Sequence, residues 1–368
     1  MVENLVIGSG FSGARIANLL AEKSREKVLV IDKKDHIAGN CYDFRDENGI
    51  MIHKYGSHIF HTRSEKVWQF LKQFTDFNTY MHKVYGCLNG IITHIPFNFN
   101  TLYDVFPDSL ARRLEDKLLA KFELDSKVPI LEFQKQDDAD LKFLANYVYE
   151  KIFLHYTTKQ WGVSPENVDG AVTARVPVYL SRDNRYFQDK YQGIPQEGYT
   201  KVVEKMLARK NIQIKLNTDY KEIDPGKFKR IFYTGAIDEY FDYEFGQLPY
   251  RSVNFKFETY DKEYYQANAC VNYPCNYDFT RIHEYKYYLD DHSKKTVIAK
   301  EYSEAFELGK NERYYPIPNQ ENIKLYNKYL QKAGTLKNVY FLGRLGDYKY
   351  YDIDQAVLRA VELFERIG

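Results

Sequence analysis

The stretch Val6-Ile7-Gly8-Ser9-Gly10-Phe11-Ser12-Gly13-Ala14 limits what this chain can fold into more than any other. An apolar run from Leu5 to Ile7 enters a Gly8-x-Gly10-x-x-Gly13 turn. A helical spacing of Ala14, Ile16, Ala17, Leu19 and Leu20 leaves it, and a second apolar run, Val28 to Ile31, ends on Asp32. The order strand, glycine turn, helix, strand, acid predicts the first βαβ unit of a parallel sheet. Each glycine has a task there: a tight turn, close backbone approach to a pyrophosphate, and close packing of helix on strand. The helix start at Phe11 and Ser12 offers free N–H groups and a positive dipole end to phosphates. Asp32, followed by Lys33, stands where a carboxylate accepts hydrogen bonds from a ribose. A dinucleotide site is therefore expected, with Gly8, Gly10, Phe11, Ser12, Gly13, Asp32 and Lys33 as its candidate residues.

The whole chain narrows the partners. Its 368 residues allow two or three domains. A net charge of +1 gives no long-range field toward nucleic acid or anionic membrane. No apolar run has transmembrane length and no charged leader precedes the first strand, so a cytoplasmic protein without membrane insertion is expected. Cys41, Cys87, Cys270 and Cys275 are scattered and form no CxxC pair, which argues for a reducing compartment and against a zinc site or disulfide framework. Tyrosine is the outlier at 34 residues, and its flat face and single hydroxyl suit the lining of a site.

Along the chain, Gly39-Asn40 marks a loop that, in flavin-binding folds, passes close to the cofactor. His53, His58 and His61 lie five and three residues apart without a carboxylate or cysteine among them, so they read as histidines beside a bound cofactor, with no metal expected. A helix is predicted over 63–80 and a hairpin over 84–95, turning at Asn89-Gly90. Pro96 to Asn100 reads as a loop, followed by helices at 101–106, 108–122, 127–134 and 139–155. The irregular stretch 162–195 is a candidate mobile lid. A helix at 201–209 and a strand at 212–216 follow, and a strand at 228–235 returns to the first sheet. Alternating strands at 252–259, 264–273, 279–289 and 295–302 predict a separate antiparallel sheet. A helix at 320–333, a strand from Val339 to a turn at Gly343, and a helix at 353–366 close the chain. The domains expected are a discontinuous cofactor domain (1–80, 196–240, 320–368), a helical domain (101–156) and an antiparallel-sheet substrate domain (81–100, 157–195, 241–319).

Glycine turns of this kind at both ends of a chain are similar to those of FAD-binding proteins. Beyond them, the motifs His53-Lys54-Tyr55-Gly56-x-His58-Ile59-Phe60-His61-Thr62, Pro96-Phe97-Asn98, Tyr156-Thr157-x-Lys159-Gln160-Trp161-Gly162, Arg175-x-Pro177, Asp183-Asn184-x-Tyr186-Phe187, Tyr191-Gln192-Gly193-Ile194-Pro195, Phe241-Asp242-Tyr243, Thr280-Arg281, Tyr314-Tyr315-Pro316 and Gly343-Arg344-Leu345 resemble bacterial UDP-galactopyranose mutases over nearly the whole chain. The resemblance implies an α/β fold: a discontinuous Rossmann-like FAD domain with an inserted helical domain and an antiparallel β-sheet domain. It implies a homodimeric isomerase that interconverts UDP-galactopyranose and UDP-galactofuranose for cell-surface polysaccharide synthesis. The cofactor implied is reduced FAD, kept so by an external reductant, with no net redox change. Flavin N5 would attack the anomeric carbon and displace UDP; the sugar would open, reclose as the furanose and recover UDP.

The same resemblance assigns roles. Arg175 and Arg281 match diphosphate-binding arginines, and His61 matches a histidine close to the flavin. Tyr186, Tyr315 and Tyr350 match phosphate-binding hydroxyls; Tyr156, with Thr157 beside it and Phe153 as support, matches the uracil platform. Trp161 and Asn184 belong to the lid, Asp352 lies beside the sugar, and Gly39, Asn40, His58 and Arg344 lie at the flavin. The chain departs from the family pattern at Asp32, Ala38, Ile152, Arg185 and Glu197. Arg185, just before Tyr186, bears on which sugar is preferred, and the same chemistry on UDP-N-acetylgalactosamine stays open. A flavin amine-oxidase-like oxidoreductase and a non-catalytic FAD- or nucleotide-binding module are the readings from other classes.

Overall fold

The computed structural model of the chain describes residues 2–129, 132, 133, 135–162, 177–317 and 319–367. They form two compact units: Met1–Tyr80, Asp189–Arg251 and Phe306–Gly368 in the first, Met81–Gln188 and Ser252–Ala305 in the second.

The first unit is built on five parallel strands in the order Ile212–Lys215, Val28–Ile31, Asn4–Ile7, Arg230–Tyr233, Val339–Phe341. The central strands are short apolar runs because both faces of the sheet are covered. Side chains alternate between two cores. Val6, Val30 and Phe232 pack with the helices Phe11–Glu22, Tyr199–Leu207 and Ile353–Ile367; Leu5, Ile31, Ile231 and Tyr233 pack on the opposite side with Tyr329 and Ala333 of the helix Gln320–Ala333. The first and last helices of the chain touch, so the two glycine turns belong to one sheet. The helix predicted over 63–80 is only Glu65–Leu71, started by Ser64 Oγ accepting from Val67 N at 3.3 Å. Within the rest of the expected span, Phe77 forms a β-bridge with Pro195, and that pairing needs extended backbone.

The second unit carries a sheet whose strands run Tyr250–Tyr260, Thr296–Ala305, Arg281–Glu284, Cys270–Asn272, Val84–Leu88, Ile91–Ile95. The hairpin turns at Asn89 and Gly90, both left-handed (φ 51° and 88°). One pair departs from the antiparallel pattern: Cys270–Asn272 runs parallel to Val84–Leu88. The strand expected over 264–273 is confined to Cys270–Asn272, and the one over 279–289 ends at Glu284 and gives way to the helical turn Lys286–Leu289. Helices Phe99–Val105, Asp108–Leu119 and Ala139–Val148 share one core with this sheet, through Leu102, Leu114 and Leu141 against Val84, Ile95 and Cys270. The contacts thus group the chain in two units where the sequence suggested three.

Four local readings need correction. Asn98 caps a helix that starts at Phe99, inside the expected loop. Lys127–Pro129 is a strand and not a helix start, because Pro177–Tyr179 pairs with it. The helix from Ala139 does not end near Tyr156: a π-helical turn, Tyr149–Leu154, leads into a further helix, His155–Trp161, closed by Gly162 at φ 69°. Of the expected lid, 163–176 lies outside the described residues, while Tyr191–Gly193 is fixed as a strand against Phe60–Thr62.

Candidate active site

In the first unit the glycine turn has the shape its sequence demands. A Cβ on Gly8 would lie 1.9 Å from Thr234 Oγ1, and one on Gly13 would lie 1.9 Å from the Gly8 carbonyl oxygen. Gly10 differs: the nearest atoms to its added Cβ, at 3.9 Å, belong to Ala38 and Gly39. The helix N-terminus behind it has no side-chain cap and no acidic residue in its first turn, so its N–H groups and dipole are not answered from within the helix. Asp32, buried, ties the turn down: Oδ2 accepts from Ser9 N at 2.8 Å and Ser9 Oγ at 2.6 Å, and Oδ1 accepts from Lys34 N at 3.0 Å. A carboxylate has about four lone-pair sites, so capacity for a ribose hydroxyl remains. Lys33 beside it is exposed. The Gly39–Cys41 turn, which carries Asn40, lies against the glycine loop, with Ala38 N donating to Ser9 O at 3.1 Å. Ala38 holds φ 72°, a conformation that favours glycine.

The histidines do separate jobs. His53 Nδ1 accepts from His58 N at 3.1 Å, and His58 Nδ1 lies 2.9 Å from Gly56 O. His61 Nδ1 meets Asp189 Oδ2 at 2.6 Å, while Arg63 Nε donates to Asp189 Oδ1 at 2.8 Å. At the far end of the chain, Arg344 Nη2 donates to Tyr351 O at 2.8 Å and its guanidinium lies 4.7 Å from the Tyr350 ring and 5.5 Å from the Tyr315 ring. Those two tyrosine rings are 5.7 Å apart. Asp352 O accepts from Ala356 N at 2.9 Å, at the start of the last helix. A Cβ on Gly343 would lie 3.2 Å from Ser12 Oγ, so the two glycine turns meet.

The second unit gathers Tyr156, Thr157, Gln160 and Trp161 on one helix, with Thr157, Gln160 and Trp161 buried. Arg281 Nη2 donates to the Tyr156 hydroxyl and, at 3.4 Å, to Gln160 Oε1. Arg281 Nε lies 3.1 Å from Glu301 Oε1, the residue directly opposite it on the neighbouring strand. Glu301 also takes Thr280 Oγ1 at 2.9 Å and His283 Nε2 at 3.1 Å. Burial opposes ionisation of Glu301, yet Arg281, His283 and Thr280 hold its carboxyl down to about 2. Burial likewise opposes the charged form of His283, and hydrogen bonding with Cys270 and to the Glu301 carboxylate raises its pKa nonetheless. Burial raises the Tyr156 phenol well above its ordinary value, so it stays a neutral hydroxyl.

The candidates so placed differ in what they can do. Asn184 Oδ1 accepts from Asn98 Nδ2 and Asn100 Nδ2, both at 2.9 Å, so it builds the turn before Tyr186. Tyr186 N donates to His82 O at 2.8 Å, and its ring meets Phe187 edge-on at 5.0 Å. Arg185 is held on Asp183, with Nη2 to Oδ2 at 2.7 Å. Lys159 donates to the carbonyls of Tyr273, Tyr277 (3.1 Å) and Phe279 (3.0 Å), a structural role. Arg175 lies outside the described residues. Glu301, His283 and Asp189 escaped the sequence reading; the apolar run Val297-Ile298-Ala299 ends on Lys300, and Glu301 follows it with no motif to single it out. Among the described residues no group of three or more His, Cys, Asp or Glu is placed to hold a metal ion, and no helix is long and apolar enough to cross a membrane.

A glycine turn on a parallel sheet defines a dinucleotide-binding α/β protein, and residues 6–74 match the model of the NAD(P)-binding Rossmann-like domain. Residues 151–350 match the UDP-galactopyranose mutase model. The chain is 37% identical to a probable UDP-galactopyranose mutase of Klebsiella pneumoniae, with 97% of this chain and 92% of that protein covered. It is 38% identical to a dTDP-fucopyranose mutase of Escherichia coli, with 97% and 96% covered. It superposes on a crystal structure of reduced UDP-galactopyranose mutase with a TM-score of 0.73 at 15% identity, covering 100% of this chain and 95% of that one. The fold is also similar to a putrescine oxidase structure, with a TM-score of 0.58 at 10% identity over 99% and 98% of the two chains. The chain belongs to the UDP-galactopyranose mutase family, and as such it is an isomerase of the mutase class.

Proposed function

We propose that this enzyme interconverts UDP-galactopyranose and UDP-galactofuranose and that its cofactor is FAD, active when reduced. The observation that carries the substrate reading is the sheltered Arg281, held between Glu301 and Tyr156 on motif positions. The cofactor reading is supported by the open face at Gly10, which an added methyl would fill, and by the helix N-terminus behind it. Reduced FAD, when bound, supplies the nucleophile of a covalent mechanism at its N5 atom. The turn from Gly8 to Gly13 takes the pyrophosphate through backbone N–H groups, Asp32 accepts from the ribose, and the Gly39-Asn40 turn, His58 and Arg344 line the cofactor. Arg281, and Arg175 from the sequence motif, bind the diphosphate through charge-assisted hydrogen bonds that strengthen as charge builds on the leaving oxygen. Tyr186, Tyr315 and Tyr350 add hydroxyl donors, Tyr156 and Thr157 hold the uridine end, Trp161 walls the site, and Asp352 lies beside the sugar. The enzyme draws electrons from an external reductant, acts as a cytoplasmic homodimer and serves cell-surface polysaccharide synthesis.

The near-equal identity to a dTDP-fucopyranose mutase favours a second reading, in which the same chemistry runs on a thymidine sugar nucleotide. One assay separates the substrates: dithionite-reduced enzyme given UDP-galactose, UDP-N-acetylgalactosamine and dTDP-fucose side by side. The expected result is a furanose product from UDP-galactose with reduced flavin alone. Equal turnover with oxidised flavin would sink the mutase mechanism, and a clear preference for another substrate would move the assignment. Arg281→Ala should lower turnover by about 10²–10³-fold.

A further inference from the structure

We infer that Asp189 is a positioning residue for His61: it sets which imidazole nitrogen carries the proton, and so what the ring offers to the reaction. The inference rests on the mutase reading for its consequence and on local geometry for its substance. Strand Tyr191–Gly193 pairs antiparallel with Phe60–Thr62, with Gln192 opposite His61. That register brings Asp189, remote in sequence, within 2.6 Å of His61 Nδ1. The loop is braced there by Gln192 Nε2, which donates to Asp189 O at 3.0 Å.

The two partners of this carboxylate are unequal. The His61 and Asp189 side chains are 15% and 17% exposed, whereas Arg63 is 83% exposed. Water screens the arginine, and an exposed ion pair of this kind contributes little; the sheltered histidine contact dominates. Burial alone would raise the Asp189 carboxyl, but hydrogen bonds from His61 and Arg63 keep it below the usual range. It is therefore ionised and can only accept, so Nδ1 must donate. In the neutral ring Nε2 is then the acceptor nitrogen. Opening and reclosing a sugar ring moves a proton off one hydroxyl and onto another oxygen, with none consumed. A ring held this way can hand an Nε2 proton to the sugar's ring oxygen as it opens and then, neutral with Nδ1–H on Asp189, take a proton back at Nε2 from the hydroxyl that recloses, with the Asp189 carboxylate stabilising the cationic form before and after.

The experiment reads the tautomer directly, by long-range ¹⁵N NMR of the FAD-loaded protein, with the His61 signals assigned by their loss in His61→Gln. The wild type should show a protonated Nδ1 and an unprotonated Nε2 in the neutral ring. Asp189→Ala should relax the ring to the Nε2–H form preferred in water. It should also lower kcat by about 10–100-fold, the usual cost of losing a partner that orients a functional histidine, with KM for UDP-galactose within about threefold. Asp189→Glu should recover part of kcat. An Nε2–H tautomer in the wild type overturns the inference whether or not any variant folds, and so does an unchanged tautomer in Asp189→Ala. A KM that rises in step with the fall in kcat/KM, with kcat intact, also overturns it. The NMR result needs no turnover: an enzyme that converts no sugar nucleotide defeats the mutase reading and leaves the His61–Asp189 pair to be judged by its spectrum.

Discussion

The two units of this enzyme present positive charge in opposite ways. The glycine turn of the first offers backbone N–H groups and a helix dipole, so its fitness is a matter of shape. The second unit offers a full guanidinium, sheltered from water and already matched by a carboxylate and a phenol. A dipole site draws its positive end from the backbone and buries no cationic side chain. A guanidinium site must be desolvated in advance, and its charge needs a partner whether or not substrate is present. The first should therefore fail by steric insult and the second by loss of a counter-charge.

The largest expected effect follows from that dependence. Glu301→Ala strips the carboxylate from Arg281 and His283 and should cost about 3–5 kcal/mol in urea unfolding at neutral pH. The same group sets an acid limb. Its folded carboxyl is held down to about 2, below the unfolded value. Its contribution is therefore complete above about pH 4.5 and is lost as pH falls toward 2. Glu301→Gln should flatten stability across that window, and an unaltered slope would mean that the carboxylate does not hold the site.

A smaller pair of effects tests the other unit. Gly13→Ala drives a methyl into the Gly8 carbonyl and should cost about 1–3 kcal/mol of stability, read by thermal unfolding. Gly10→Ala meets nothing closer than 3.9 Å, so unfolding should change by less than about 0.5 kcal/mol. FAD affinity, followed by flavin fluorescence, should nevertheless fall at least about tenfold, because the new methyl stands where the pyrophosphate approaches. Undiminished FAD binding by Gly10→Ala would remove the case for that face as the cradle.

The smallest effect belongs to Ala38. Its left-handed backbone costs about 1–2 kcal/mol relative to glycine, but its buried methyl is worth about 0.8 kcal/mol. Ala38→Gly should stabilise by less than about 1 kcal/mol in urea titration. A loss of stability would show that packing outweighs strain at this turn.

The parts of the molecule that were legible in sequence are the local ones. Leu5 to Asp32 declares strand, turn, helix and strand within one stretch, and all four appear where expected. Arg281 stood out by its motif, but the carboxylate that pairs with it did not. Glu301 becomes its partner only through the register of two antiparallel strands. Asp189 reaches His61 by a pairing that spans 128 residues. Long-range pairing also turned Lys127–Pro129 from helix to strand and holds Phe77, inside the helix expected over 63–80, in a bridge with Pro195. Apolar spacing records which residues are buried; it does not record which strand lies next to which.

The π-helical turn at Tyr149–Leu154 acts as a phase shifter for the residues that follow it. An α-helix advances about 100° per residue, so accommodating one extra residue in a wide turn rotates everything downstream by about that angle. Tyr156 and Gln160, four apart and both beside Arg281, inherit that rotation together. The helix that begins at Ala139 keeps one face for its own core, and after the wide turn the same continuous rod aims a different face at the guanidinium.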